Sequence, residues 1–261
     1  SILEDSDKAL NTDELLNSVD NLVRHSPGTQ DLFDSLFNMR QMSDSIYSHS
    51  INVSMIARLM GKWLKLSPED LQVLTLCGLL HDVGKTALTI ELLDKTSRYT
   101  SEEFDQVKRH PALGFQLLKD RDIDIRIKKA ALMHHERCDG SGYPQGLTTD
   151  QTDDFAMIIA IADVYDAMTA ARSYRKPLCP FQVIDAVEKD GLQKYHPKYI
   201  LTFFEHIADT YRHNRILLNN GQSGTVVMIN KTQLSRPYVQ LADNTVIDLS
   251  ERRELEIVSV L

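Results

Sequence analysis

The stretch "FAMIIAIADVYDAM", Phe155 to Met168, is apolar around almost the whole circumference of the helix that its composition predicts. A helix without a polar face belongs at the centre of a domain, wrapped by other elements. Asp163 sits in its middle. A carboxylate there costs several kcal/mol if left unpaired, so another segment must bring it a cation. The stretch therefore predicts a mainly α fold packed around this helix, with a charged site inside.

The flanking segments supply the wrapping. Leu15, Leu16, Val19, Leu22 and Val23 recur at helical spacing before "SPG" at Ser26 to Gly28, and Leu32, Phe33, Leu36 and Phe37 mark a second short helix. His49, Val53, Ile56, Met60 and Trp63 share one face of a longer helix, so His49 points inward. "SPED" at Ser67 reads as an N-cap followed by proline at the first helical position, launching a helix into "HDVGK" that Gly84 ends. "TSEE" at Thr100 is a capping-box start, and that helix must bend or restart at Pro111. Ile125, Ile127, Ala130, Ala131 and Met133 carry a further helix to His134 and His135.

After Arg215 the pattern changes to short β-rich runs, "GTVVMI", "PYVQL", "TVIDL" and "EIVSVL", separated by turn residues. They predict a small barrel or curled sheet that docks on the helices. The organisation expected is an N-terminal helical segment or connector over 1–42, a helical domain over 43–213 and a small β-rich domain over 214–261. No run approaches the ~20 apolar residues that a bilayer span needs, and the first residues lack the blocks of a signal peptide, which predicts a cytoplasmic protein. The absence of an initiating methionine leads us to expect something upstream of Ser1. Cys77, Cys138 and Cys179 are too few and too scattered for a disulfide framework and read as free thiols. A net charge of -8 argues against a duplex nucleic acid partner.

The chemistry lies in the histidines. One inward histidine is ordinarily a hydrogen-bonded core residue, and His196 keeps that reading, as do the solvent-side His25, His206 and His213. His49, His81, His110, His134 and His135 are different, because they come with the pair His81-Asp82, the pair His134-His135 and Asp163. Five imidazoles and two carboxylates can hold two divalent ions if one aspartate bridges them. About four positive charges against two negative would make the site locally cationic, and phosphate is its natural guest.

"HDVGK" (His81 to Lys85), "HHERCDGSGYP" (His134 to Pro144) and "IADVYDAMTAARSYRK" (Ile161 to Lys176), in that order, with His49 upstream and His110 between, resemble the HD-GYP family, a branch of the HD-domain phosphohydrolases. The resemblance covers roughly Ser43 to Tyr211. It implies an HD-domain helical bundle and a metal-dependent phosphodiesterase that hydrolyses cyclic di-GMP to linear pGpG by attack of a metal-bridging hydroxide. His49, His81, Asp82 and Asp163 would hold one metal, and Asp82, His110, His134 and His135 the second. The resemblance assigns Lys85 to the scissile phosphate, Arg172 and Arg175 to the ligand's phosphates, and Tyr143 to the signature loop that Gly140, Gly142, Pro144 and Gly146 shape. Glu136 would either orient a neighbouring ligand or stand in solvent.

Mixed nitrogen and oxygen ligation without thiolate suits iron or manganese, with zinc, cobalt and nickel compatible. Cys138 reads as a free thiol rather than a further ligand. Some members of the family place a glutamate four residues before the first histidine to hold a third ion. Ser45 stands there, with Asp44 beside it, so two metals are expected. Two other readings stay open: a receptor or adaptor that binds cyclic di-GMP without turnover, which would be expected to lose ligands or Lys85, and an HD enzyme for another nucleotide such as cyclic GMP-AMP. Partners implied are cyclic di-GMP, an upstream sensor domain, a protein bound through the GYP loop, or a second copy in a homodimer.

Overall fold

The structure is a computed structural model that describes residues 11–24, 28–30, 33, 46–93, 95, 97–170 and 177–261. Helices α1 (Thr12–Arg24), α2 (Ile46–Trp63) and α3 (Pro68–Leu80) lead into a 3-10 turn, Val83–Ala87. Then come α4 (Ile90–Leu93), α5 (Ser101–Val107), α6 (His110–Leu118), α7 (Ile125–Met133), α8 (Asp154–Thr169), α9 (Pro180–Asp190) and α10 (Pro197–Thr210). Strands β1 (Arg215–Leu218), β2 (Ser223–Met228), β3 (Tyr238–Leu241), β4 (Val246–Asp248) and β5 (Ile257–Val260) follow. This is the expected mainly α bundle with a β-rich C-terminal extension. The short helix expected around Leu32 to Phe37 lies almost wholly outside the described residues.

Helix α8 is the axis of the bundle. No residue from Phe155 to Asp163 exposes more than 8% of its surface, and α2, α3, α7, α9 and α10 all pack against it. The inward face of α2 is as the spacing predicts, with Val53, Ile56 and Met60 buried. Local signals set the helix ends. The Ser67 hydroxyl accepts from the Asp70 N–H at 3.1 Å, Thr100 and Glu103 close a capping box, and Asp124 and Asp153 cap α7 and α8. The chain stops being helical after Val107 and restarts at His110 with Pro111 in the new first turn, where a missing N–H costs nothing.

The extension is an antiparallel sheet in the order β4-β3-β2-β1-β5. It docks on α9 through β5. The half-buried Glu188 of α9 accepts the Leu234 N–H at 3.0 Å and the Ser235 hydroxyl, and burial raises its carboxyl above the ordinary value in spite of those bonds. The three cysteines are free thiols. Among the described residues no helix is long and apolar enough to cross a membrane.

Gly84 departs from its expected role. Helix α3 already ends at Leu80, and Gly84 lies inside the 3-10 turn. A Cβ there would stand 2.0 Å from the His110 carbonyl oxygen and 2.4 Å from the Gly114 nitrogen, so glycine is required by the approach of α6 to the turn, not by helix termination. Because both neighbours are backbone, Gly84→Ala must push α6 away. The expected cost is about 1–3 kcal/mol, read as a lowered midpoint in denaturant unfolding, with weakened metal binding because α6 carries His110.

Candidate metal centre and cleft

Five segments converge on one point. His49 comes from α2, His81 and Asp82 from the end of α3, His110 from the start of α6, His134 and His135 from the end of α7, and Asp163 from α8. Their ligand atoms fall into two groups, Asp82 with His110, His134 and His135, and His49 with His81 and Asp163, the atoms within each lying within 4.8 Å of one another. Asp82 stands between the groups. Its Oδ2 is 3.5 Å from His49 Nε2 and 3.4 Å from His81 Nε2, while its Oδ1 is 3.2 Å from His110 Nε2 and 3.7 Å from His134 Nε2. Asp163 also faces both, with Oδ1 3.2 Å from His49 Nε2 and Oδ2 3.9 Å from His135 Nδ1.

The hydrogen bonds on the far side of the rings determine what the centre can hold. Nδ1 of His81 lies 2.7 Å from the Gly78 carbonyl, that of His110 2.7 Å from Val107, and that of His134 3.0 Å from Ala130. Carbonyls only accept, so this bonding assigns the protons to Nδ1 and leaves each Nε2 as a lone pair pointing inward. His110 Nε2 and His134 Nε2 are then two acceptors only 3.2 Å apart. His81 Nε2 and Asp82 Oδ1 are buried with no donor. An unsatisfied buried acceptor costs about 1–3 kcal/mol, and a divalent cation is what satisfies several at once. The residues fit a metal.

Protonation states agree. Burial pushes His134 down to about 4 and His135 well below the ordinary imidazole value, so both present neutral nitrogens. Burial alone would raise Asp82 and Asp163, but Lys85 and His81 beside the first and His49 beside the second hold both well below the usual carboxylate range. His49 moves the other way. Burial would lower it, yet hydrogen bonds to Asp163 and Asp166 and the charges of Asp163 and Asp82 raise it to about 10. A proton and a divalent cation thus compete for the same Nε2.

The residue that answers the call of Asp163 for a cation is therefore a histidine, and it has a partner that sequence reasoning missed. Asp166 Oδ2 accepts from His49 Nδ1 at 2.8 Å with 3% of its side chain exposed, which fixes the ring with Nε2 toward the centre. Its signal was its position three residues after Asp163, on the same face of α8. Lys85 lies against the centre, its Nζ 2.5 Å from Asp82 Oδ2.

Glu136 takes neither of its two expected roles. It is buried, and its carboxylate accepts the Gln145 N–H at 2.7 Å and the Leu147 N–H at 2.9 Å. It therefore folds the signature loop back on the turn that carries the histidines. Gly142 lies so close beneath that a Cβ would meet Arg137 N at 2.4 Å, and the Tyr143–Pro144 bond is cis. The Tyr143 ring stacks on His135 at 4.6 Å. Burial, and next the charge of Asp163, raise its hydroxyl above the ordinary phenol value. Cys138 stays outside the cluster, its thiol 3.9 Å from the Met157 sulfur.

A cleft of about 820 Å³ opens over the centre, lined by His49, Lys85, His110, His135, Tyr143 and Asp163. It is also lined by Lys95, Arg98, Tyr99, Phe104 and Arg137, which the motifs did not single out. Arg172, Arg175, Asp44 and Ser45 lie outside the described residues.

Two substitutions separate these supporting roles. Asp166→Asn is expected to weaken metal binding by about 10- to 100-fold through His49 alone, measured by competition with a chelating dye. Glu136→Gln is expected to leave the metal in place but cost about 1–3 kcal/mol, with faster hydrogen exchange at the Gln145 and Leu147 amides.

Comparison with known proteins identifies the family. The HD domain family model matches residues 30–199. Over 210 residues the chain is 31% identical to the cyclic di-GMP phosphodiesterase PA4108 of Pseudomonas aeruginosa, covering 79% of this chain and 50% of that protein. It is 35% identical to the 3'3'-cGAMP-specific phosphodiesterase 3 of Vibrio cholerae over 144 residues, 55% of this chain and 31% of that one. The chain spans about half or less of the length of the curated relatives it matches. The fold is that of Bd1817, a HDG"Y"P protein from Bdellovibrio bacteriovorus, with a TM-score of 0.61 at 22% identity over 75% of this chain and 62% of that one. With its His-Asp pair, its paired histidines and its GYP loop closing on one centre, the chain belongs to the HD domain family, in the HD-GYP branch.

Proposed function

We propose that the chain is a metal-dependent phosphodiesterase that opens cyclic di-GMP to linear pGpG in the cytoplasm, with residues 43–213 as its catalytic unit. The observation that carries this reading is the buried set of acceptors without donors around Asp82, with His110 Nε2 and His134 Nε2 at 3.2 Å. We assign His49, His81, Asp82 and Asp163 to one divalent ion and Asp82, His110, His134 and His135 to a second. Nitrogen and oxygen donors without thiolate favour iron or manganese. When bound, such ions acidify water and neutralise phosphoryl charge.

The protein's own groups do the rest. The carboxylates and imidazoles of the cluster form one wall of the cleft, with His81, Asp82, His110 and His134 buried. Lys85 lies at that wall and is assigned to charge developing on the phosphoryl group or the departing ribose oxygen. Tyr143, held over His135, faces the same space, and Arg172 and Arg175 are assigned to the ligand's phosphates. Similarity to a cyclic GMP-AMP enzyme makes that dinucleotide the competing substrate.

The test is to load purified protein with iron or manganese under reducing conditions, count the metal, and incubate it with cyclic di-GMP, cyclic GMP-AMP and cyclic di-AMP. Linear pGpG from cyclic di-GMP is expected as the fastest product. Lys85→Ala should keep the metal and lose at least about 100-fold in kcat, whereas His110→Ala should lose metal as well. A fully loaded protein that leaves every cyclic dinucleotide intact refutes the reading.

A further inference from the structure

One wall of the cleft is built by residues 97–101 and Phe104, between α4 and the first turn of α5, and it supplies none of the clustered ligands. The cations around the cleft differ in how far they are engaged. Lys95 is gripped by both oxygens of Glu103 at 2.7 and 2.5 Å. Lys85 is held by Asp82. Arg137 donates to the His134 and Glu136 carbonyls at 3.2 and 2.8 Å and lies over the Tyr195 ring. Arg98 is exposed and makes no hydrogen bond or ion pair among the described residues. Among the described residues its guanidinium is the fork-shaped donor of this cleft without a partner.

Phe104 lines the same cleft and keeps 45% of its surface exposed. Lys108 stands over its ring at 5.3 Å, and the Tyr143 ring approaches edge-on at 6.5 Å. An exposed aromatic side chain lining the same cleft as an unengaged arginine suits a flat base better than a phosphate. Aromatic faces stack bases whatever their sequence, and a guanidinium matches two adjacent acceptors on a base edge. Lys85 is already assigned to phosphate, and Lys95, a further cation of the cleft, is paired with Glu103.

We propose that Arg98 and Phe104 form a purine seat, in which Phe104 carries the face of a nucleobase and Arg98 reads the O6 and N7 acceptors of guanine. Adenine offers N7 beside a donating amino group, so Arg98 discriminates against it. The seat deepens the cyclic dinucleotide reading and rests on it.

The experiment measures calorimetric binding of non-hydrolysable phosphorothioate analogues of cyclic di-GMP, cyclic GMP-AMP and cyclic di-AMP to the metal-loaded chain and its variants. Arg98→Ala is expected to weaken cyclic di-GMP by about 10- to 100-fold and to leave cyclic di-AMP within about twofold. Arg98→Lys should not rescue, since an ammonium keeps the charge but lacks the fork. Phe104→Ala should weaken all three alike, by about tenfold. An equal loss for all three analogues with Arg98→Ala, rescue by lysine, or no loss at all overturns the seat and leaves the phosphodiesterase reading standing. An unsubstituted chain that binds none of the analogues removes the phosphodiesterase reading and the seat together.

Discussion

The fold is organised by the need to keep one carboxylate ionised where water does not reach. Asp82 exposes 2% of its surface, and each of its oxygens faces a different set of imidazoles. A charge so placed must be met by cations or donors of matched geometry. Helices α2, α6, α7 and α8 each deliver a group to that point, and the packing that holds them is the packing of the whole bundle.

Helix ends are the natural place to assemble such a centre. The last carbonyls of a helix have no partner within it, and those of Gly78, Val107 and Ala131 accept from ring nitrogens instead. Each such bond satisfies an orphan acceptor and aims the ring with its remaining lone pair inward. The same local feature thus terminates a helix and sets the tautomer of a ligand.

Much of this was legible in the chain. The apolar circumference of the Phe155 to Met168 helix announced its central position, the capping residues Ser67 and Thr100 announced helix starts, and the paired histidines with the His-Asp dipeptide announced a metal centre. What was not legible depends on contacts between distant segments. Asp166 looks like any helical aspartate until His49 is placed against it, and Glu136 looks solvated until the loop ten residues on folds over it. Gly84 reads as a helix stop because glycine is a common one, whereas the reason for it is α6, a segment that begins 26 residues later. The wall at residues 97–104 carried no motif, since an exposed arginine and phenylalanine acquire meaning only from what they face.

That wall and the metal cluster are built on separate pieces of chain. Helix α5 begins and ends between the His-Asp turn and His110 and is anchored by its own capping box and the Lys95–Glu103 pair. On the proposed seat, substitutions at Arg98 and Phe104 alter which ligand is preferred without removing any of the clustered metal ligands. Ligand taste and metal chemistry are thus assigned to separable parts of one scaffold.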